Sequence, residues 1–129
     1  LGRVWRISEI SVKPFPSGRA SHAALAALAE LRPDAGKIAQ VELAAPPLIH
    51  RLVGRAYAPD MTPAYARLCL PFLAALMITD GRIDPRRFTP QGFADSAIAA
   101  LAAKVALVGD GNPDPNALFP QGLAITLAD

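Results

Sequence analysis

Lys13-Pro14-Phe15-Pro16-Ser17-Gly18-Arg19-Ala20-Ser21-His22 separates a strand-patterned run from an alanine- and leucine-rich helix. Pro14 and Pro16 remove backbone donors and fix φ, so a strand cannot run regularly through them. Gly18 permits a tight reversal, and Ser17 or Ser21 is suited to capping the helix that follows. A helix N-terminus carries about half a positive charge, to which Lys13 and Arg19 add two full ones. Cations, hydroxyls, free amides and the imidazole of His22 within so short a stretch suit a bound carboxylate or phosphate. The same residues also read as a solvated strand end, a loop and a helix-surface histidine, and spacing alone does not separate the two.

Outward from this stretch, Val4 to Phe15 alternates as a strand with apolar residues on both faces. Downstream, Ala20 to Leu31 reads as a helix with Ala24, Leu25, Leu28 and Leu31 on one stripe, ended by Pro33. Gly36 to Ala44 alternates as a second strand, giving a split βαβ beginning. Pro46-Pro47 breaks the chain, Leu48 to Val53 has room for one or two helical turns, and Gly54 to Met61 is irregular. Thr62 as N-cap and Pro63 as first helical residue open a helix to Thr79, closed by Asp80-Gly81. Pro71 must kink or split that helix near Arg67 to Leu68. After Leu68 it is apolar nearly all round, which predicts a central, buried position. A third helix starts at Thr89-Pro90, with Phe93, Ile98, Leu101 and Ala102 facing inward. Lys104 to Val108 and Leu123 to Leu127 close the chain as two strands, read as a hairpin around Gly109 to Gln121. The expected fold class is α+β: a small, mostly antiparallel sheet of about four strands, with helices packed mainly on one face.

Bulk properties narrow the class. The 129 residues make one domain by length, and 52% hydrophobic with 19% charged residues argues for a folded core. A net charge of +2 is too small to argue for nucleic acid, and no basic run interleaved with aromatics occurs. The single cysteine, Cys69, excludes an internal disulfide and fits a reducing, cytoplasmic setting. The longest apolar run, Leu68 to Ile78, contains Pro71 and is too short to span a bilayer. No signal peptide or initiator methionine opens the sequence, and it stops abruptly at Asp129, as expected of a piece of a longer chain.

Other candidate sites are weaker. His50 and Arg51 read as surface residues of a short helix. Tyr57 and Asp60 lie in the irregular connection, where functional residues concentrate; Tyr57 can donate to a carboxylate or simply pack. Arg67 offers a bidentate guanidinium or a plain surface charge. Cys69 reads as a small core side chain. Asp110-Gly111-Asn112-Pro113-Asp114 spaces oxygens like a calcium loop, but Pro115 and Gln121 stand where glycine and glutamate are needed, so it reads as a turn. Gly109-x-Gly111 lacks the third glycine of a dinucleotide loop. With one cysteine and two distant histidines, no metal site is expected.

The run KPFPSGRASHAALAAL, residues 13–28, resembles the K-x-[YF]-P-x-x-x-x-x-H-x-A-[IL]-x-A stretch of the MmgE/PrpD (2-methylcitrate dehydratase-like) family. A second block, Thr62-Pro63-Ala64-Tyr65-Ala66-Arg67-Leu68-Cys69-Leu70-Pro71-Phe72-Leu73-Ala74-Ala75-Leu76, is similar to that family's helix carrying F-S-L-P-Y. The two blocks stand in the family's order and point to its C-terminal domain. The resemblance implies a cofactor-independent lyase or isomerase that abstracts a proton next to a carboxylate of a small di- or tricarboxylate. It carries Lys13 over as the family's lysine and His22 as its histidine, the two catalytic candidates; in that scheme this chain's own Arg19 joins Lys13 in holding substrate carboxylates, Ser17, Gly18 and Ser21 assist from the loop, and Tyr57 is a further, weaker donor. It further implies a missing N-terminal helical domain of the same chain, without which this piece is inactive, and a homodimer. Several family members place a cysteine or histidine where this chain has Ser17-Gly18, so one polar group is absent from this loop. Other readings of the same residues are a non-catalytic module that binds a small anion or mediates dimerisation, and a purely structural assembly domain.

Overall fold

The computed structural model describes residues 2–129. Residues 2–18 carry no strand; apart from one 3-10 turn at Arg6–Glu9, they run irregularly over the surface. The first strand expected from alternation is therefore corrected. A strand forms only against a partner edge, and none meets this segment, whose Val4, Trp5, Ile7, Ile10 and Val12 are 62–90% exposed.

A 3-10 turn at Arg19–Ser21 leads into helix α1, His22–Leu31, which buries Ala24, Leu25 and Leu28. Leu31, expected on the same stripe, is exposed. Strand β1, Ile38–Ala45, buries Ile38, Val41, Leu43 and Ala45. A register shift between Ile38 and Gln40 is what brings Ile38 onto the face of Val41 and Leu43. Gln40 and Glu42, on the opposite face, are exposed.

Helix α2, Pro47–Val53, follows the proline pair directly. The long apolar helix splits as Pro71 requires, into α3, Pro63–Ala66, and α4, Leu70–Asp80. Thr62 accepts the Tyr65 amide on its hydroxyl, and Gly81 takes φ 69°, a left-handed cap that suits glycine. From Leu70 to Met77 every residue of α4 except Pro71 is buried, so this helix is the centre of the core. Phe72 meets Phe88 and Phe93 edge-on at 5.8 and 5.5 Å between ring centres.

The third predicted helix is also two: α5, Pro90–Phe93, and α6, Ser96–Ala102. Asp95 restarts the helix by accepting the Ala97 and Ile98 amides. Arg87 bridges Asp80 at 3.1 Å and Asp95 at 3.2 Å, joining the end of α4 to the start of α6. The predicted inner residues Phe93, Ile98, Leu101 and Ala102 are all buried.

Strands β2, Val105–Gly109, and β3, Gly122–Leu127, form where expected but do not pair with each other. Both pair with β1, which is central in the order β2-β1-β3. The β1–β2 pair is parallel and the β1–β3 pair antiparallel. The fold is α+β with a mixed three-stranded sheet, in place of the four-stranded, mostly antiparallel one expected. Helices α2 to α6 form the crossover that parallel strands demand, so the βαβ unit begins at β1 and not before α1.

Candidate functional site

The chain bends through residues 14–17 before α1, and the Ser17 amide donates back to the Phe15 carbonyl at 2.8 Å, closing a tight turn around Pro16. Lys13 Nζ donates to the Ser17 carbonyl at 3.2 Å, so the cation folds over the loop it precedes. Arg19 and His22 follow one turn apart at the start of α1. The three converge: Lys13, Arg19 and His22 share the wall of a cleft of about 380 Å³ with Ser11, Val12 and Pro14.

The His22 ring stands edge-on to Phe15, 5.5 Å between centres. Its Nε2 is buried and has no hydrogen-bond partner among the described residues. Burial lowers the imidazole pKa, the backbone of Ser17 and Phe15 opposes that shift, and the charges of Lys13 and Arg19 reinforce it. The shift favours the neutral ring beside two cations, an arrangement suited to taking a proton once an anion is bound between them.

The serines do something other than cap the helix. Ser21 Oγ donates to the Gly18 carbonyl at 2.7 Å. That commits its proton, so the 2.8 Å contact between the two hydroxyls has Ser17 Oγ donating to Ser21 Oγ. Both serines are buried and make no side-chain cap. The Gly18 amide, expected to face a substrate, donates to the Arg67 carbonyl at 2.9 Å. Nor does Gly18 make a left-handed turn. Its φ is −58°, and what it supplies is close approach: a Cβ there would lie 2.6 Å from Leu68 Cδ2. Through Gly18 the loop is fastened to the break between α3 and α4, so the two sequence blocks singled out above touch. Tyr57 is placed elsewhere. Its hydroxyl donates to the Phe93 carbonyl, and it does not line the cleft.

Three residues have structural partners that spacing does not reveal. His50 Nε2 lies 3.1 Å from the Ala45 carbonyl and 3.0 Å from the Val108 carbonyl. Carbonyls only accept, so Nε2 carries the proton and clips together the ends of β1 and β2. Arg67 stacks its guanidinium on Phe88, 5.6 Å from the ring centre. Arg51 donates to the Pro115 carbonyl at 2.8 Å. Cys69 is fully buried, and burial pushes its thiol pKa up to about 11, which leaves it protonated. In the loop after β2, Asp110, Asn112 and Asp114 each accept the amide two residues on at 2.9 Å, a run of turns built from side chains. Among the described residues no three acidic, histidine or cysteine side chains gather as a metal site, and no helix is long and apolar enough to cross a membrane.

The family model described as MmgE/PrpD C-terminal domain matches residues 15–128. The match begins within the Lys13–His22 stretch and takes in every helix and strand named above. No curated protein matches the chain.

Proposed function

Because the chain belongs to the MmgE/PrpD family, we propose that it is the C-terminal domain of a lyase or isomerase that removes a proton next to a carboxylate of a small di- or tricarboxylate. The observation that supports this is the shared cleft of Lys13, Arg19 and His22. Lys13 and Arg19 hold substrate carboxylates, and a bound anion offsets the two charges that disfavour a proton on His22. His22 then accepts the proton from carbon as a neutral base. Ser17, Ser21 and Gly18 act from beneath, through the hydrogen bonds that fix the loop. The carbanion so formed expels a β-hydroxyl, which leaves as water with the proton that His22 took, or it is reprotonated at carbon, in either case without a cofactor.

Three polar side chains on one open wall are half of a site. The missing half belongs to a helical N-terminal part of the same chain, and the working unit is a homodimer. The 129-residue piece alone is inactive in this reading, because catalytic groups must stand within about 3 Å of the atoms they serve. A binding module that holds the same anion without chemistry is the second reading. It is favoured by the buried Nε2 of His22, which leaves one ring nitrogen away from any ligand.

The test joins this domain to its helical part and follows a panel of hydroxylated and unsaturated di- and tricarboxylates by proton NMR in heavy water. Deuterium uptake or alkene formation, abolished in Lys13→Ala and His22→Ala, supports the proposal. Tight carboxylate binding with no turnover selects the binding module. Neither binding nor turnover refutes both, as does activity that survives both substitutions.

A further inference from the structure

The segment before the cleft is the part of the molecule that the proposed chemistry does not use. Val4, Trp5, Ile7, Ile10 and Val12 are 62–90% exposed within nine residues, more apolar surface than a solvated strap ordinarily shows. One edge of the sheet offers it a place. β3 pairs with β1 on one side only, and its other edge has no backbone partner among the described residues. Beside that edge lies an apolar groove of about 400 Å³ lined by Leu31, Pro33, Asp34, Lys37, Ile125 and Leu127.

The tether is in the right position. α1 runs alongside β3: Ala23 and Ala27 adjoin Gly122 and Leu123 at one end, and Leu31 adjoins Ile125 and Leu127 at the other. Val12 shares the cleft with His22, the first residue of α1, so the strap hangs from the Gly122 end. Running from Val12 back to Val4 it lies antiparallel to β3, and at about 3.3 Å per residue it is long enough to reach past Leu127.

Its residue pattern agrees. Trp5 and Ile7 fall on one face of a regular strand, and Ile10 and Val12 on the other. A bulge at Ser8–Glu9, where this structure has its 3-10 turn, puts all four on one face. That is the face of Leu123, Ile125 and Leu127 toward the groove. Docking also brings Arg3 to the end of the sheet where Asp34 and Asp129 lie, while Arg6, now paired with Glu9 at 2.8 Å, exchanges that partner for Asp34, which is otherwise bridged by Lys37 at 4.0 Å.

We infer that residues 4–12 are a strap that docks along the open edge of β3 in its own chain, filling the groove between α1 and β3. Because Ser11, Val12 and Lys13 form one wall of the cleft, docking sets the position of that wall. The inference does not depend on which chemistry the cleft performs.

Trp5 is the only tryptophan, so it reports the strap alone. The experiment records Trp5 emission and acrylamide quenching in the chain and in Ile7→Asp and Leu127→Asp, with light scattering for mass. Both changes fall at exposed positions, so the rest of the fold tolerates them. The expected result is a blue-shifted emission with several-fold weaker quenching in the parent chain, lost in both variants, at monomer mass. Fully exposed emission in all three proteins overturns the inference. Blue-shifted emission that appears only with a dimer also overturns it, in favour of a strap donated to a second copy.

Discussion

Gly18→Ala tests the fastening of the cleft loop to the α3–α4 break. The backbone at Gly18, φ −58° and ψ 131°, suits alanine, so any cost is steric. An added Cβ meets Leu68 Cδ2 at 2.6 Å and Val53 Cγ1 at 3.0 Å, with the Arg67 carbonyl oxygen at 3.6 Å. Leu68 is half-buried and its terminal methyl can swing away, but Val53 is fully buried and stiff at χ1. The loop must also retreat from Arg67, lengthening a 2.9 Å hydrogen bond. Overpacking of this kind costs roughly 1–3 kcal/mol. Replacing glycine returns about 0.4–1 kcal/mol through the unfolded state. The net expectation is a loss of up to about 2.5 kcal/mol, read as a lower urea midpoint at unchanged slope. The double variant Gly18→Ala/Leu68→Ala isolates the clash. It should be less destabilised than the sum of the singles, by at least about 0.5 kcal/mol. Strict additivity in this cycle would refute the close-approach account of Gly18.

The remaining predictions concern single groups. His22 should titrate in NMR below the ordinary imidazole range, and Lys13→Gln should move it upward by removing one of the opposing charges. Because its folded pKa is depressed, the unfolded state binds more protons as pH falls through the unfolded value, so stability declines there; His22→Gln should flatten that slope in urea titrations at pH 5 to 7. Asp95→Ala should cost about 1 kcal/mol at neutral pH as a lost helix cap. The amides of Ile98 and Ala97 and the Arg87 charge depress the Asp95 pKa, so its contribution is present above the unfolded value and lost as pH falls through the folded one, where the two proteins should converge in melting curves. His50→Phe should destabilise by roughly 1–3 kcal/mol, since it takes the imidazole donor from the Val108 carbonyl and leaves the Ala45 carbonyl only the Asp110 amide at 3.3 Å; hydrogen exchange at the β1–β2 ends checks this. Cys69 should resist alkylation at pH 8 until the chain is unfolded, because its pKa is pushed up to about 11.

Local chemistry carried much of the fold into view. Thr62-Pro63, Pro71 and Gly81 are each decided within a few residues, by a cap, a missing donor and a positive φ, and the helices start, break and stop where those residues require. Pairing was not legible in this way. Val4 to Phe15 has the alternation of a strand, but alternation says nothing about whether an edge is there to receive it. β2 and β3 looked like a hairpin because they are neighbours in sequence, yet each finds β1, more than fifty residues earlier. The candidate site divides along the same line. Lys13, Arg19 and His22 lie within ten residues, and their convergence follows from one short loop. Which hydroxyls and amides remain for a ligand depended on remote partners: Gly18 is occupied by Arg67 and Tyr57 by Phe93, and no spacing rule connects them.

The central place of β1 also has a consequence during synthesis. The ribosome finishes this strand at Ala45, while its first partner starts only at Val105 and its second at Gly122. At about 5–20 residues per second, β1 waits on the order of 3–12 s for either neighbour. Throughout that interval Ile38, Val41 and Leu43 lie in an unpaired apolar segment whose backbone has no strand to join, the kind of segment that holdase chaperones retain and that crowded nascent chains share. Slower elongation between Pro46 and Lys104 lengthens the exposure and faster elongation shortens it. The yield of soluble protein should therefore follow codon speed in that interval more closely than in the codons for residues 1–37.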